Sequence, residues 1–285
     1  MDAFPKQKWW TGGQYSLWRI GLGLYLLSFL AVRLPDAVAA PGVIAAVLLI
    51  LGWRDRVAAA VLWLVLAWIP GAPLAGWLLI LHLLLPSAPY GALAAVGRVH
   101  PGGAWQMPAL LWWASWLAIA GIYAYSAYCK VLFFLPELIL LHLLAVNPGW
   151  LRSSQREPGL VFYDGDCGLC HRAVRFVLAE DVGEAWVFSP LQGESFAALG
   201  IAESAPDSIG VQDGERLLWR SSAVVLLLWR IGGYWRLLAA LLWCVPKPIR
   251  DLAYICIARV RHSFFAAPSG LCPLMPADLQ ARFRT

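Results

Sequence analysis

Two cysteines at Cys-x-x-Cys spacing, Cys167 and Cys170, sit in "FYDGDCGLCH" (162–171), behind a short apolar run and beside Asp164 and Asp166. Such a pair can be a redox dithiol, half of a soft-metal site, or two inert neighbours. At a strand-to-helix turn the first cysteine meets the unpaired N–H groups and the positive end of the helix dipole, which favour a thiolate. The second lies one turn on, where it can attack the first in a mixed disulfide and release the substrate. Cys167 is therefore assigned as nucleophile and Cys170 as resolving thiol, with Gly168 keeping the loop between them small. A carboxylate beside a thiol opposes its ionisation. Asp166 accordingly reads as the helix cap. Asp164, at the strand end, reads as proton acceptor for Cys170 during resolution. A metal site needs two further soft ligands. Cys256, His262 and Cys272 form no second close pair, and zinc sites typically repeat the Cys-x-x-Cys, so no metal is expected. Cys129, Cys244, Cys256 and Cys272 are scattered as buried apolar thiols usually are.

The elements that must position this pair follow from patterning. "LVFY" (160–163) reads as a buried strand, and "CHRAVRFVLAED" (170–181) as a helix with Val174, Val177 and Leu178 on one stripe. A strand at 185–189, a short helix at 195–201, a hairpin around Asp-Gly within 207–220 and a serine-capped helix at 221–233 come next. That order, β-α-β-α-β-β-α, predicts a thioredoxin-like α/β domain over 160–285. Amphipathic helices at 235–244 and 248–262 extend it, neither long enough to span a membrane. Pro206 precedes the expected strand at 208–212, where thioredoxin-like folds place a cis-proline facing the cysteines.

Upstream the composition changes. The chain is 60% hydrophobic with 17 Trp, well above the roughly 45–50% apolar content of globular proteins. Its net charge of +5 lies in residues 1–157, with ten Lys+Arg against five Asp+Glu; residues 158–285 hold twelve of each. No basic stripe interleaved with aromatics argues for nucleic acid. Apolar stretches at 17–34, 37–53, 57–69, 74–85, 109–128 and 131–147 predict a multi-pass α-helical membrane bundle over 1–147, with a linker at 148–159. The first, second and fifth stretches are about long enough to cross roughly 30 Å of hydrocarbon. The third and fourth are split by "PGAP". Six crossings place seven Lys/Arg inside and two outside, which satisfies the positive-inside rule and puts both ends in the cytoplasm. The first apolar segment reads as a retained signal anchor. His82, Lys130, Glu137 and His142 are ionisable groups within the bundle. Lys130 reads as snorkelling in a turn, with Glu137 as its partner. Neither histidine has a second ligand at helical spacing.

On "VFYDGDCGLCHRAVRFVL", "SPLQGES" (189–195), "VQDGERLLWRSSAVVLLLWRIGG" (211–233) and "CPLMPADLQARF" (272–283), the chain from about 160 to 285 resembles the DCC family of thiol-disulfide oxidoreductases. The family is named for Asp-x-x-Cys-x-x-Cys, here Asp164, Cys167 and Cys170. The resemblance implies a thioredoxin-like fold and a redox-active Cys167–Cys170 disulfide, without naming a substrate. "YSLWRIGLGLYLL" (15–27) and "GIYAYSAYCKVLF" (121–133) are similar to segments of the horizontally dispersed transmembrane family, which includes vitamin K-dependent carboxylases. There a lysine acts as base, and Lys130 falls at its place. The large extramembrane substrate domain is missing here, so carboxylase activity is not inferred. The expectation is an integral protein of the cytoplasmic membrane whose cytoplasmic dithiol exchanges with a protein or small-molecule thiol or disulfide. Its helices contact membrane lipid, and serve either as an anchor or as a route to a lipid-soluble partner such as a quinone. Transport or soft-metal binding by the cysteine pair is the alternative.

Overall fold

The computed structural model describes residues 10–34, 37–69, 71–103, 105–129, 136–151, 157–165, 167–200, 206, 208–264 and 277–284. The chain divides into two compact units. One comprises Met1–Gly97 and Gly102–Asn147, the other Arg98–Pro101 and Pro148–Thr285.

The first unit is helical: α1 (Gly12–Ala31), α2 (Ala39–Leu51), α3 (Asp55–Trp68), α4 (Pro73–Leu84), α5 (Ala109–Cys129) and α6 (Pro136–Ala145). Thr11 caps α1 by accepting the Gln14 N–H. Gly52, in the left-handed region at φ 66°, ends α2, where a residue without Cβ is favoured. Small residues let these helices approach closely. A Cβ on Gly23 would lie 2.5 Å from Ile50 Cγ1, and one on Gly42 would lie 2.8 Å from Leu30 Cδ1.

Six helices stand where six apolar stretches were expected, but not as six full spans. Among the described residues one helical window, Ala109–Ser126 in α5, is long and apolar enough to cross a membrane. The 13 residues of α2 rise about 20 Å, short of a bilayer core. Gly52 stops that helix before its apolar stretch ends. Helix α1 has 20 residues but carries Gln14, Arg19 and four glycines within them.

The second unit is a mixed α/β domain: β1 (Gly159–Tyr163), α7 (Gly168–Glu180), β2 (Trp186–Pro190), α8 (Glu194–Ala197), β3 (Gly210–Asp213), β4 (Arg216–Trp219), α9 (Arg220–Ile231), α10 (Tyr234–Cys244), α11 (Lys247–Phe264) and α12 (Ala277–Gln280). The four strands lie in the order β2-β1-β3-β4. β1 is parallel to β2, with Val161 opposite Phe188, and antiparallel to β3. β3 and β4 form the expected hairpin around Asp213 and Gly214. Val161, Trp186, Phe188 and Val211 are fully buried, and packed with them are Val174 and Val177 of α7 and Leu227 of α9.

Two details differ from expectation. The serines do not cap α9: its cap position is Trp219, with no side-chain cap bond. Ser221 lies inside the first turn instead, its hydroxyl donating to the Asp251 carboxylate of α11. The C-terminal segment also joins the sheet region, which periodicity did not indicate. Phe283 bridges Phe188 in parallel, while Phe188 N–H donates to Arg282 O and Arg284 N–H to Phe188 O, each at 2.8 Å.

Candidate active site

β1 delivers the chain into the turn at Asp164 and Gly165, and Cys167 then takes the N-cap position of α7 in extended conformation. Asp166 was expected to cap this helix. It lies outside the described residues, and the cap bond observed is made by sulfur: Cys167 Sγ accepts the Cys170 N–H at 3.4 Å. Cys167 N–H donates to Asp164 O at 3.3 Å and Cys167 O accepts the His171 N–H at 3.1 Å. The nucleophile candidate thus sits on the unpaired amides of a helix start, where negative charge on sulfur is favoured.

Both cysteines are buried thiols, Cys167 at 1% and Cys170 at 8% exposure. They belong to the same apolar cluster as Tyr163, Val174 and Ile209. Burial pushes the Tyr163 hydroxyl above its ordinary 10.0, so that ring stays neutral beside the pair. Cys170 lines an apolar cleft of about 450 Å³ with Leu169, Ile209, Val224, Ile249 and Tyr254. Tyr254 reaches back from α11 to accept the Ile209 N–H at 3.0 Å.

The motif turn is braced by two residues that sequence reasoning missed. Gln192 donates through Nε2 to Asp164 Oδ1 and accepts the Gly165 N–H through Oε1, both at 3.4 Å. It belongs to the "SPLQGES" segment, whose recurrence in the family resemblance was the available signal. His171 bonds through Nε2 to Gly165 O at 2.7 Å. A carbonyl only accepts, so the proton is on Nε2. Asp164 itself is half-buried at the strand end.

Arg282 is the third omission. It is buried, and its guanidinium pairs with Asp181 and donates to Trp186 O at 3.1 Å from Nε and 2.7 Å from Nη2. Asp181 also accepts the Ala185 and Trp186 N–H groups, each at 3.0 Å. Burial pushes the Asp181 carboxyl above its ordinary 3.8, while Arg282 and those two amides pull it down. This cluster joins the end of α7, the start of β2 and the C-terminal segment.

Pro206 is half-buried and lines a different cleft, with Leu217, Trp219, Arg220 and Lys247. Ile209, not Pro206, shares the cleft that Cys170 lines. The bond ahead of Pro206 begins at Ala205, outside the described residues, as is Lys130. In the helical unit Glu137 is buried and accepts from Tyr25 of α1 at 2.5 Å. His82 bonds Tyr15 of α1 through Nδ1 at 2.5 Å, and its Nε2 lies 3.9 Å from Asp55. His142 Nε2 accepts from Tyr123 at 3.1 Å while Nδ1 donates to Leu138 O at 2.6 Å. Leu138 lies on the same helix as His142, but Tyr25, Tyr15, Asp55 and Tyr123 come from other helices, which spacing along one helix cannot reveal. Among the described residues no three His, Cys, Asp or Glu side chains are grouped to hold a metal.

A dithiol opening a helix behind a mixed sheet defines the class to which the site belongs. Residues 161–267 match the family described as DCC1-like thiol-disulfide oxidoreductase. The chain is 31% identical over 138 residues to the uncharacterised protein YuxK of Bacillus subtilis (strain 168), covering 47% of this chain and 98% of that one. It is 30% identical over 119 residues to a chloroplastic DCC family protein of Arabidopsis thaliana, covering 40% and 69% respectively. No solved structure matches it significantly. The chain belongs to the DCC family of thiol-disulfide oxidoreductases.

Proposed function

We propose that this protein is a membrane-attached oxidoreductase whose Cys167–Cys170 pair exchanges with a partner thiol or disulfide through a thioredoxin-like domain. The observation that carries this reading is the Cys167 sulfur at the N-cap of α7, accepting the amide of Cys170 one turn on. Against a partner disulfide, the Cys167 thiolate attacks and releases one partner thiol, Cys170 then attacks the mixed disulfide, and Asp164 takes the Cys170 proton. Against a partner dithiol the same steps run in reverse, a partner thiolate opening the Cys167–Cys170 disulfide. The strand order β2-β1-β3-β4 supports the thioredoxin-like assignment.

The helical unit supports membrane attachment by its surface. Trp68 is 80% and Leu117 73% exposed, while Gln14, Arg19 and Glu137 are buried within the leucine core, a distribution that lipid-facing helices favour. The counted charges favour six segments with the dithiol domain in the cytoplasm. Short α2, α3 and α4 then reach only part of the way through the bilayer core.

Trapping tests the chemistry. Cys170→Ser is expected to accumulate a mixed disulfide on Cys167, and Cys167→Ser to lose both trapping and turnover. Failure of the two sulfurs to join under any oxidant, read by mass spectrometry, overturns the reading. Asp164→Asn is expected to slow resolution; equal turnover at every pH removes its role. A reporter fused to the C-terminus tests the membrane side.

A further inference from the structure

Helices α10 and α11 expose apolar side chains that the domain core leaves uncovered: Trp243 is 71%, Leu241 68% and Leu252 62% exposed. The α11 sequence is also basic, with Lys247, Arg250, Arg259 and Arg261 against the single acid Asp251. Apolar and basic residues together on a short amphipathic element are the composition of a helix lying at a lipid surface. The same elements roof the cleft over Cys170. Leu242, Val245, Ile249, Ala253 and Ile257 line it, and Arg250 stands in its wall. Arg250 Nε and Nη1 are buried without a hydrogen-bond partner. Arg250 is the charged side chain of the lining, and its unpaired donors would gain from an acceptor oxygen placed beside them.

We propose that the cleft receives a lipid-soluble quinone, which enters from the bilayer surface along α10 and α11 and oxidises the Cys167–Cys170 pair. The inference rests on reading that pair as a redox dithiol. The lining and size select the ligand. A cleft of about 450 Å³ falls in the range of roughly 300–1,000 Å³ that holds a ring-sized molecule. Its walls are nearly all aliphatic, and Ser221 is committed to Asp251. A peptide backbone there would leave its polar groups unpaired. A quinone presents an apolar ring, a carbonyl to accept from Arg250, and a place for electrons. A fatty carboxylate would suit Arg250 equally but could not accept them.

The reaction balances without a further reagent. The two thiols lose two protons and two electrons and one S–S bond forms. The quinone ring takes the two electrons, its two carbonyl oxygens take the protons, and a quinol leaves. Cys170 lines the cleft, so its sulfur meets the quinone and Cys167, one helical turn back, closes the disulfide with it.

The test uses the full reduced chain in phosphatidylcholine–phosphatidylglycerol vesicles, with decylubiquinone as oxidant, diamide as a polar control and oleate as a redox-inert competitor. Decylubiquinone is expected to join Cys167 to Cys170 with one quinol formed per chain, and oleate to compete. Arg250→Ala should raise the half-saturating quinone concentration about tenfold, the effect of losing one hydrogen bond from a charged donor, with little change in maximal rate. Arg250→Lys should retain most of the affinity. Ala253→Trp, which fills the cleft, should abolish quinol formation at an unchanged thermal midpoint. If that variant unfolds, Arg250→Ala decides alone. The quinone proposal is overturned if diamide joins the sulfurs and decylubiquinone does not, if Arg250→Ala behaves as wild type, or if oleate binds where the quinone fails to react. If neither oxidant joins the sulfurs, the dithiol reading falls with it.

Discussion

In the helical unit the fully buried side chains include Gln14 and Arg19, while Leu110, Leu117, Trp68 and Trp77 face outward. In the α/β unit Trp186, Phe188 and Val211 are inside. There Lys247 of the Lys247–Asp251 pair is largely exposed. The second arrangement is what water imposes on a domain. On the membrane-attached reading proposed above, the first is what an apolar solvent permits, where burying leucine gains little and helices hold by close approach and internal polar bonds. The close approaches at Gly23 and Gly42, and the Tyr15–His82 and Tyr25–Glu137 bonds between helices, are of that kind. Helices α10 and α11 lie between the two regimes: one side packs on the sheet domain and the other is greasy and basic.

The largest effect that sharpens this contrast is expected in the α/β unit. Arg282→Ala removes one partner of a buried ion pair and leaves Asp181 uncompensated, at a cost of about 3–5 kcal/mol. Loss of amide-exchange protection at β1 and β2 measures it, with the Asp181 carboxyl pushed further upward. A cost within ~0.5 kcal/mol, typical of surface sites, would mean the cluster does not hold the C-terminal segment to β2. Next in size is the outer face of α5. Leu117→Arg places a charge on a side chain that is 73% exposed. If lipid surrounds it, insertion is disfavoured by about 2.5–3.5 kcal/mol in a translocation assay. If water surrounds it, the change is nearly neutral, and the comparison between the units breaks.

A smaller effect concerns the roof of the cleft. Hydrogen bonds from Lys247 and then Ser221 hold the Asp251 carboxyl below its ordinary 3.8. A carboxyl lowered on folding adds stability that is fully present above its unfolded value and is lost as pH falls through the folded one. The attachment of α11 to α9 should therefore loosen below about pH 4. Asp251→Asn should remove that pH dependence from the amide exchange of α11. An unchanged profile would show that the Lys247 and Ser221 contacts do not secure the helix.

Local signals made the dithiol domain legible. The strand before Asp164, the stripe of Val174, Val177 and Leu178, and the Asp-Gly hairpin each follow from a few adjacent residues, and the element order they predicted is the one observed. What escaped depends on contacts across the chain. Gln192 lies 28 residues from Asp164, and Arg282 lies 101 from Asp181. No periodicity joins such residues. Cys167 as the N-cap escaped for a chemical reason: a cysteine side chain can fill the cap position when the next turn offers its amide to sulfur. The expected spans are shorter in the structure because hydropathy counts apolar residues and ignores the backbone: α2 covers only 39–51 of the stretch at 37–53, with Gly52 ending it.

The smallest effect addresses the interior of the helical unit most directly. Tyr15 is fully buried, stacks on Trp18 and Trp105 with ring centroids at 5.4 and 5.0 Å, and bonds His82. Tyr15→Phe keeps the ring and deletes only the hydroxyl. In water-soluble cores, stranding a buried imidazole nitrogen costs about 1–3 kcal/mol. Between membrane helices the average is nearer ~0.6 kcal/mol, because the unfolded state in lipid finds other partners. A double-mutant cycle of Tyr15→Phe with His82→Ala, read by unfolding in bicelles, should return a coupling at the lower value. A coupling of several kcal/mol would place this cluster in the same regime as Asp181 and Arg282, and the two units would no longer differ in what their polar interiors are worth.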